Sequence, residues 1–252
     1  MSGPEHQEPA YVLHRRAYQE HGLMVDLLTL NHGRITVVAR GANRPRSPLK
    51  AQLQPFQPLL VDWTGRSDLK TLTQTETRSG PRLARTEALY SGLYLNELLQ
   101  RLLPVADPYP TVFAAYLQAL ESLAGVEALE PVLRRFEQAL ANALGYGFPW
   151  DRTSDTDAAI EPAGRYCYDP QEGLLARASE HTRLRDLPGD ALLAIAAGNL
   201  EDPDARLTAK RVMRVLVDFL LQGRPLNSRH LFMHLRGDAP GRESDQGESH
   251  EL

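Results

Sequence analysis

The sequence predicts an α+β chain of two domains, a five-stranded β-barrel of the OB type over residues 1–80 and a mainly α-helical domain over 81–236. Three observations carry this. Hydrophobic periodicity is that of strands as far as Thr77 and that of helices from Thr86 onward. Five short strand-like runs fall in the first segment, with one long excursion after the third. That is the spacing of a small closed Greek-key barrel, with a five-stranded open sheet as the alternative. Charge changes with periodicity: residues 1–80 carry a net +3 and the remainder −7, within a 252-residue chain of net charge −4.

The strands are read in order. Tyr11–Tyr18 and Leu23–Leu30 are β-leaning runs. Asn31-His-Gly-Arg34 supplies hairpin chemistry, because Asn and Gly tolerate left-handed backbone. Ile35–Ala39 is rich in β-branched residues. A loop containing Pro and Arg follows, then Phe56–Trp63 and the alternating run Leu69–Thr77. Helical spacing begins at Thr86, with Leu89, Leu93, Leu95, Leu98, Leu99 and Leu102 before Pro104. Pro110–Leu123 is a second helix. In a third, Leu133, Phe136, Leu140 and Leu144 form one stripe that Gly145 is placed to cap. Residues 146–178 hold Pro149, Pro162 and Pro170 and lack helical period, which predicts an irregular or hairpin insertion. Helices resume at Gly189–Ala197 and Asp204–Leu221, the latter expected to turn Leu207, Val215, Phe219 and Leu220 inward. Asn227 or Ser228 is placed to cap a short helix over Arg229–Leu235. The acidic Gly/Ser tail, 237–252, is expected to be disordered.

Composition excludes several classes. Cys167 is the only cysteine, so neither an internal disulfide framework nor a four-cysteine zinc site is available, and a reducing cytoplasm is the expected compartment. No run approaches the ~18 apolar residues of a membrane span, and the polar, acidic start lacks a signal-peptide core. The chain contains no phosphate-binding G-x-x-x-x-G-K-[ST] loop, no G-x-S-x-G elbow and no H-E-x-x-H. His230 and His234 stand four apart, but two ligands make a weak metal site. Cys167 and His181 have nothing to orient them as nucleophile and base. The expectation is therefore a protein without catalytic residues, cofactor or metal.

Cations cluster in two windows. Arg34, Arg40, Arg44, Arg46 and Lys50 fall in a stretch without a single acid, centred on a loop of Gly41, Asn43, Pro45 and Pro48. From Arg206 to Arg236, seven basic residues, Lys210, Arg211 and Arg214 among them, face only Asp218. Guanidinium groups on a loop beside a barrel suit phosphate contacts that do not read sequence, although charge runs also occur as plain solvated surface.

Several segments together resemble the RecO family of bacterial recombination mediators. They are Val12–Tyr18, Leu27–Gly33, Ala39–Leu49 with Leu53-Gln-Pro-Phe56, then Leu133-Arg-Arg-Phe-Glu-Gln-Ala-Leu140 leading to Leu144-Gly-Tyr146, and Gly223–Phe232. The resemblance implies an OB barrel, a helical domain and no catalytic centre. It also implies binding of single- and double-stranded DNA, annealing of complementary strands without ATP, and help in loading recombinase onto DNA coated by single-strand-binding protein. The implied partners are RecR and the acidic C-terminal tail of the single-strand-binding protein, and the implied location is the cytoplasm, at the nucleoid. An arginine of the family's Arg-Arg-Phe-Glu motif serves that tail, which makes Arg134 and Arg135 the candidates, with Lys210, Arg211 and Arg214 as the other basic surface. Glu127, Glu130 and Glu137 are the acids that would otherwise pair with the two arginines. Many members carry four zinc-binding cysteines after Leu-Gly-Tyr. Here 146–178 holds only Cys167, so the insertion must be held by packing. The competing readings are an RNA-binding OB protein, a protein-interaction scaffold, and an enzyme with an unrecognised site.

Overall fold

The structure is a computed structural model that describes residues 5–65, 67–126, 128–229 and 231. The tail 237–252, expected to be disordered, and the histidine pair 230/234 lie outside the described residues. The first domain is a closed barrel built from β1 (Glu5–Tyr18), β2 (Gly22–Thr29), β3 (Gly33–Ala39), β4 (Leu59–Thr64) and β5 (Leu69–Thr77). The order is β1-β2-β3-β5-β4, and β1 closes the ring by pairing with both β2 and β4. β3 and β5 are parallel and the other pairs antiparallel, which is the OB topology. Val12, Val25, Leu27, Ile35, Val37, Val61 and Trp63 fill the interior from alternate positions.

Two local features differ from the sequence reading. A short helix, α1 (Pro48–Gln52), sits in the excursion after β3. Arg15 holds it, donating from Nη1 to the carbonyls of Lys50 and Leu53, each at 3.0 Å. The fourth strand begins at Leu59 rather than Phe56. Phe56 instead has φ of +66° and lies beneath the next helix, against Gly92, where a Cβ would stand 2.8 Å from its ring.

The second domain contains α2 (Thr86–Leu102), α3 (Pro110–Ala124), α4 (Leu129–Ala143), α5 (Gly189–Ala196) and α6 (Pro203–Leu220). The insertion forms a three-stranded sheet: β6 (Arg165–Asp169) pairs with β7 (Gly173–Leu175) on one side and β8 (Leu184–Pro188) on the other. The hairpin matches expectation, whereas β8 has no signature of its own in the sequence. Tyr166, Tyr168, Leu174 and Leu187 pack this sheet onto Leu192, Val212, Met213 and Leu216. The insertion holds the one cysteine, Cys167, and is packed through this apolar core.

The buried stripe of α6 also differs. It is Ala205, Thr208, Ala209, Val212, Met213, Leu216 and Val217, whereas Leu207 is 57% exposed and Val215, Phe219 and Leu220 only half-buried. Small residues let the helix approach its neighbours closely, and Leu207 falls on the opposite face. α2 behaves alike: Leu89 is 38% exposed, while Ala88, Ser91, Gly92 and Asn96 are buried.

The two domains share one core. Tyr11, Leu13, Leu28 and Phe56 of the barrel join the apolar cluster of α2, α3 and α4. β1 is bulged against β2 between Val12 and His14. At this bulge Asn96 of α2 donates from Nδ2 to the carbonyls of Val12 and Leu13, both at 3.2 Å. The Tyr116 hydroxyl donates to Asn96 Oδ1 at 2.6 Å and is fully buried. Gln100 donates to Asp26 at 2.7 Å.

Residues 223–229 strap the helical domain. Leu226 is buried in the shared core, and the Glu97 carboxylate accepts from the amides of Asn227 (3.0 Å) and Ser228 (2.8 Å) and from the Ser228 hydroxyl (2.7 Å). Arg101 pairs with Glu97 at 2.6 Å and donates to the Pro225 carbonyl at 2.8 Å. Burial raises the Glu97 pKa, but the bonds from Ser228 and Asn227 and the Arg101 charge outweigh it and hold the carboxyl below its ordinary value.

Two outcomes follow from this architecture. Asn96→Ala removes its bonds to the carbonyls of Val12 and Leu13 and strands the buried Tyr116 hydroxyl, and it should destabilise the chain by about 2–3 kcal/mol in urea unfolding. A depressed folded-state pKa means that Glu97 stabilises above the ordinary carboxylate range and that this contribution is lost as pH falls through the depressed value. The melting-temperature gap between the parent and Glu97→Gln should therefore be widest at neutral pH and close on acidification.

Candidate nucleic-acid interface

A cleft of about 560 Å³ opens at one end of the barrel. Its walls are the β1–β2 turn (Tyr18–Gly22), the end of β3 with Val38, Arg40 and Gly41, and the start of β5 with Leu69, Lys70 and Thr71. OB barrels bind oligonucleotides over the strand 2–3 face, between these two connections. Gly41 (φ +71°) turns the chain out of β3, and Arg44 folds back over it, so that a Cβ there would lie 3.8 Å from Arg44 Nε. The Asn43 amide donates to the His21 carbonyl at 3.0 Å, which ties the basic loop to the β1–β2 turn.

Of the five residues singled out for DNA, Arg40, Arg44, Arg46 and Lys50 are exposed, and their side chains form no ion pair among the described residues. Arg46 has φ of +63°, which turns the loop at that point. Arg34 is different. Its Nε donates to the Leu103 carbonyl at 3.0 Å, and its own carbonyl accepts from the Ala106 amide at 2.8 Å. It fastens the barrel to the segment after α2 and is half-buried there, unlike the four exposed cations. Lys70, which sequence reasoning missed, lines the cleft because the parallel β3–β5 register places it beside Val37. Only that long-range pairing could have revealed it. Glu20 is the acid in the cleft wall, 3.5 Å from His21.

The helical domain separates its own candidates. Arg134 is 7% exposed and pairs with Glu137 at 2.8 Å, and the same carboxylate accepts from the Tyr94 hydroxyl at 2.6 Å. Burial raises the Glu137 pKa, with Arg134 and Tyr94 opposing it. Glu137 Oε2 and Arg134 Nε have no partner among the described residues. Arg134 is thus a core residue and not a rim cation. Arg135, one residue on and about 100° around the helix, is exposed and lines a small cleft of about 90 Å³ between α3 and α4. Ala115, Ala119, Val132 and Phe136 supply its apolar walls, with Gln118 and Ser122 at the edge.

Lys210 is paired across to Glu130 on another flank of α4, whereas Arg211 and Arg214 are exposed. The structure does not bring these three to Arg135. Among the described residues no group of three or more His, Cys, Asp and Glu could hold a metal ion, and no helix is long and apolar enough to cross a membrane. Burial pushes the Cys167 thiol up, the reverse of an activated nucleophile.

The family models that match are Recombination protein O N terminal over residues 1–81 and Recombination protein O C terminal over 84–230. The chain belongs to the RecO family. It is 59% identical to the DNA repair protein RecO of Marinobacter nauticus, over 97% of this chain and all of that one. It is 45% identical to that of Methylococcus capsulatus, over 88% and 91%, and 42% identical to that of Glaesserella parasuis, over 90% and 95%. In this RecO-family chain, the Arg-Arg-Phe-Glu motif therefore splits into a buried ion pair, Arg134–Glu137, and an exposed cation, Arg135.

Removing one partner of a buried pair strands the other charge. Arg134→Ala should cost about 3–5 kcal/mol in denaturant unfolding, whereas Arg135→Ala should stay within roughly 0.5 kcal/mol of the parent.

Proposed function

We propose that the chain is a non-catalytic DNA-repair mediator. It binds single- and double-stranded DNA at the barrel, anneals complementary strands without ATP, and assists recombinase loading on DNA coated by single-strand-binding protein, in the cytoplasm at the nucleoid. The observation that carries this reading is a cluster of exposed cations, Arg40, Arg44, Arg46 and Lys50, without ion pairs among the described residues. Arg40 lines the cleft together with Lys70 from β5, and Arg44 packs over Gly41 at its wall. Cations on a loop beside an OB face fit the evenly spaced charges of a phosphate backbone. The names of the relatives, DNA repair proteins, point the same way.

The α3–α4 cleft fits the acidic tail of single-strand-binding protein: Phe136 and its neighbours offer an apolar floor and Arg135 a cation at the rim. RecR is the second partner in this reading. A chain that works by bringing strands and proteins together needs no catalytic group, which accords with a sequence lacking a phosphate-binding loop and a nucleophile motif.

The test is a variant with Arg40, Arg44, Arg46, Lys50 and Lys70 replaced by Ala. It should bind every single-stranded sequence more weakly, with a log–log salt slope flatter by up to about 0.7 for each phosphate no longer neutralised. Strand annealing should fall in step, while affinity for an acidic, Phe-ended peptide is retained. The parental slope in the folded variant overturns the barrel assignment, and tighter binding of RNA of equal length replaces DNA with RNA. In the complementary arm, Arg135→Glu should lower peptide affinity roughly tenfold, about 1.4 kcal/mol, with the barrel's DNA affinity intact.

A further inference from the structure

The outer face of α6 is a second cationic surface, and it carries aromatic rings. Arg211 and Arg214 lie one turn apart on the side turned from the core, and both are exposed. Neither forms an ion pair or a side-chain hydrogen bond among the described residues. Asp218, one turn beyond Arg214, is engaged by Arg229 at 2.6 Å. Beside Arg211 the same face continues through Val215 to Phe219 at four-residue spacing, both half-buried. Tyr146 reaches this end from the segment after α4, where its amide donates to the Ala141 carbonyl at 2.9 Å. Its ring meets that of Phe219 edge-on, with centroids 5.9 Å apart and planes at 66°, and Tyr146 remains 37% exposed.

We infer that Arg211, Arg214, Tyr146 and Phe219 form a second site for single-stranded nucleic acid, separate from the barrel cleft. The two guanidinium groups take backbone phosphates, and the aromatic pair offers ring surface to a base. The inference rests on the annealing reading above and deepens it, since a protein that joins two strands must hold both. Charge complementarity selects a polyanion, because these cations stand out from a C-terminal portion of net charge −7. A helix exterior is convex, so it suits a strand laid along it better than a peptide end that needs a floor to bury. The α3–α4 cleft has such a floor, and Arg135, Val132 and Ala139 face it from the side of α4 opposite Glu130, which pairs with α6.

The experiment uses the full chain and two variants, Arg211→Ala/Arg214→Ala and Tyr146→Leu, with thermal melts to confirm folding. A strand carrying 5-iododeoxyuridine is irradiated with the parent protein, and the adduct is mapped by mass spectrometry. Annealing of complementary strands and binding of an acidic, Phe-ended peptide are measured alongside. A cross-link at Tyr146 or Phe219 is expected, absent from the double-arginine variant, with annealing slowed roughly tenfold and peptide affinity unchanged. Tyr146→Leu should remove the Tyr146 adduct and slow annealing in the same direction. Adducts confined to the barrel overturn the site. So does loss of peptide binding in the double variant without loss of the cross-link, which assigns the face to a peptide. If the parent anneals no strands, the functional reading fails, and the cross-link still decides the second site.

Discussion

The amide of Asn96 joins the two halves of the molecule. β1 is bulged between Val12 and His14, and there the carbonyls of Val12 and Leu13 both accept from Asn96. A buried carbonyl without a donor costs about as much as a lost hydrogen bond, so a donor from outside the sheet stabilises the bulge. α2 supplies it, and Tyr116 of α3 fixes the orientation of the amide by donating to its oxygen. Everything apolar nearby follows from that placement. Tyr11 and Leu13 face outward from the barrel into the helical core, and Phe56 reaches under Gly92. The OB barrel and helical domain are accordingly one packed body joined through a polar centre, and the cleft end of the barrel is left uncovered.

Cations in this chain divide into those that hold the fold and those left for a ligand. Arg15 caps α1, Arg34 fastens β3 to the loop after α2, Arg101 secures the C-terminal strap, and Arg134 neutralises a buried carboxylate. Each is engaged by carbonyls or a carboxylate of the chain. The exposed set around Gly41, and the pair on α6, have no such partner among the described residues. A guanidinium already held by the fold is less free to turn to a phosphate, so exposure and partnership together decide which positive charges count toward binding.

Much of this is legible in the sequence. β-branched runs, turn residues and alternation mark the five strands, and three- and four-residue apolar spacing marks the long helices, because these signals are local. β1, however, starts at Glu5, six residues before the run at Tyr11. What cannot be read depends on contacts between distant segments. Arg34 and Arg40 belong to one cationic window, and only the packing of residues 103–107 over the start of β3 separates a tether from an exposed side chain. Arg134 and Arg135 are adjacent and look interchangeable, yet a rotation of about 100° sends one into the core. Size and apolarity predict Leu207 inside, whereas the close approach is made by Ala205, Thr208 and Ala209. Lys70 and β8 escape a sequence reading because each depends on pairing with a strand far away or across an insertion.

The C-terminal strap bears on how far the chain tolerates shortening. Leu226 completes the core that also holds Tyr11, Leu95 and Phe136, and Glu97 has its amide donors at Asn227 and Ser228. Those residues are translated 130 and 131 positions after the glutamate they satisfy. The strap thus covers an apolar seam between the barrel and α2, so a chain cut before Leu226 would expose that seam to water and leave Glu97 with Arg101 as its remaining partner among these contacts.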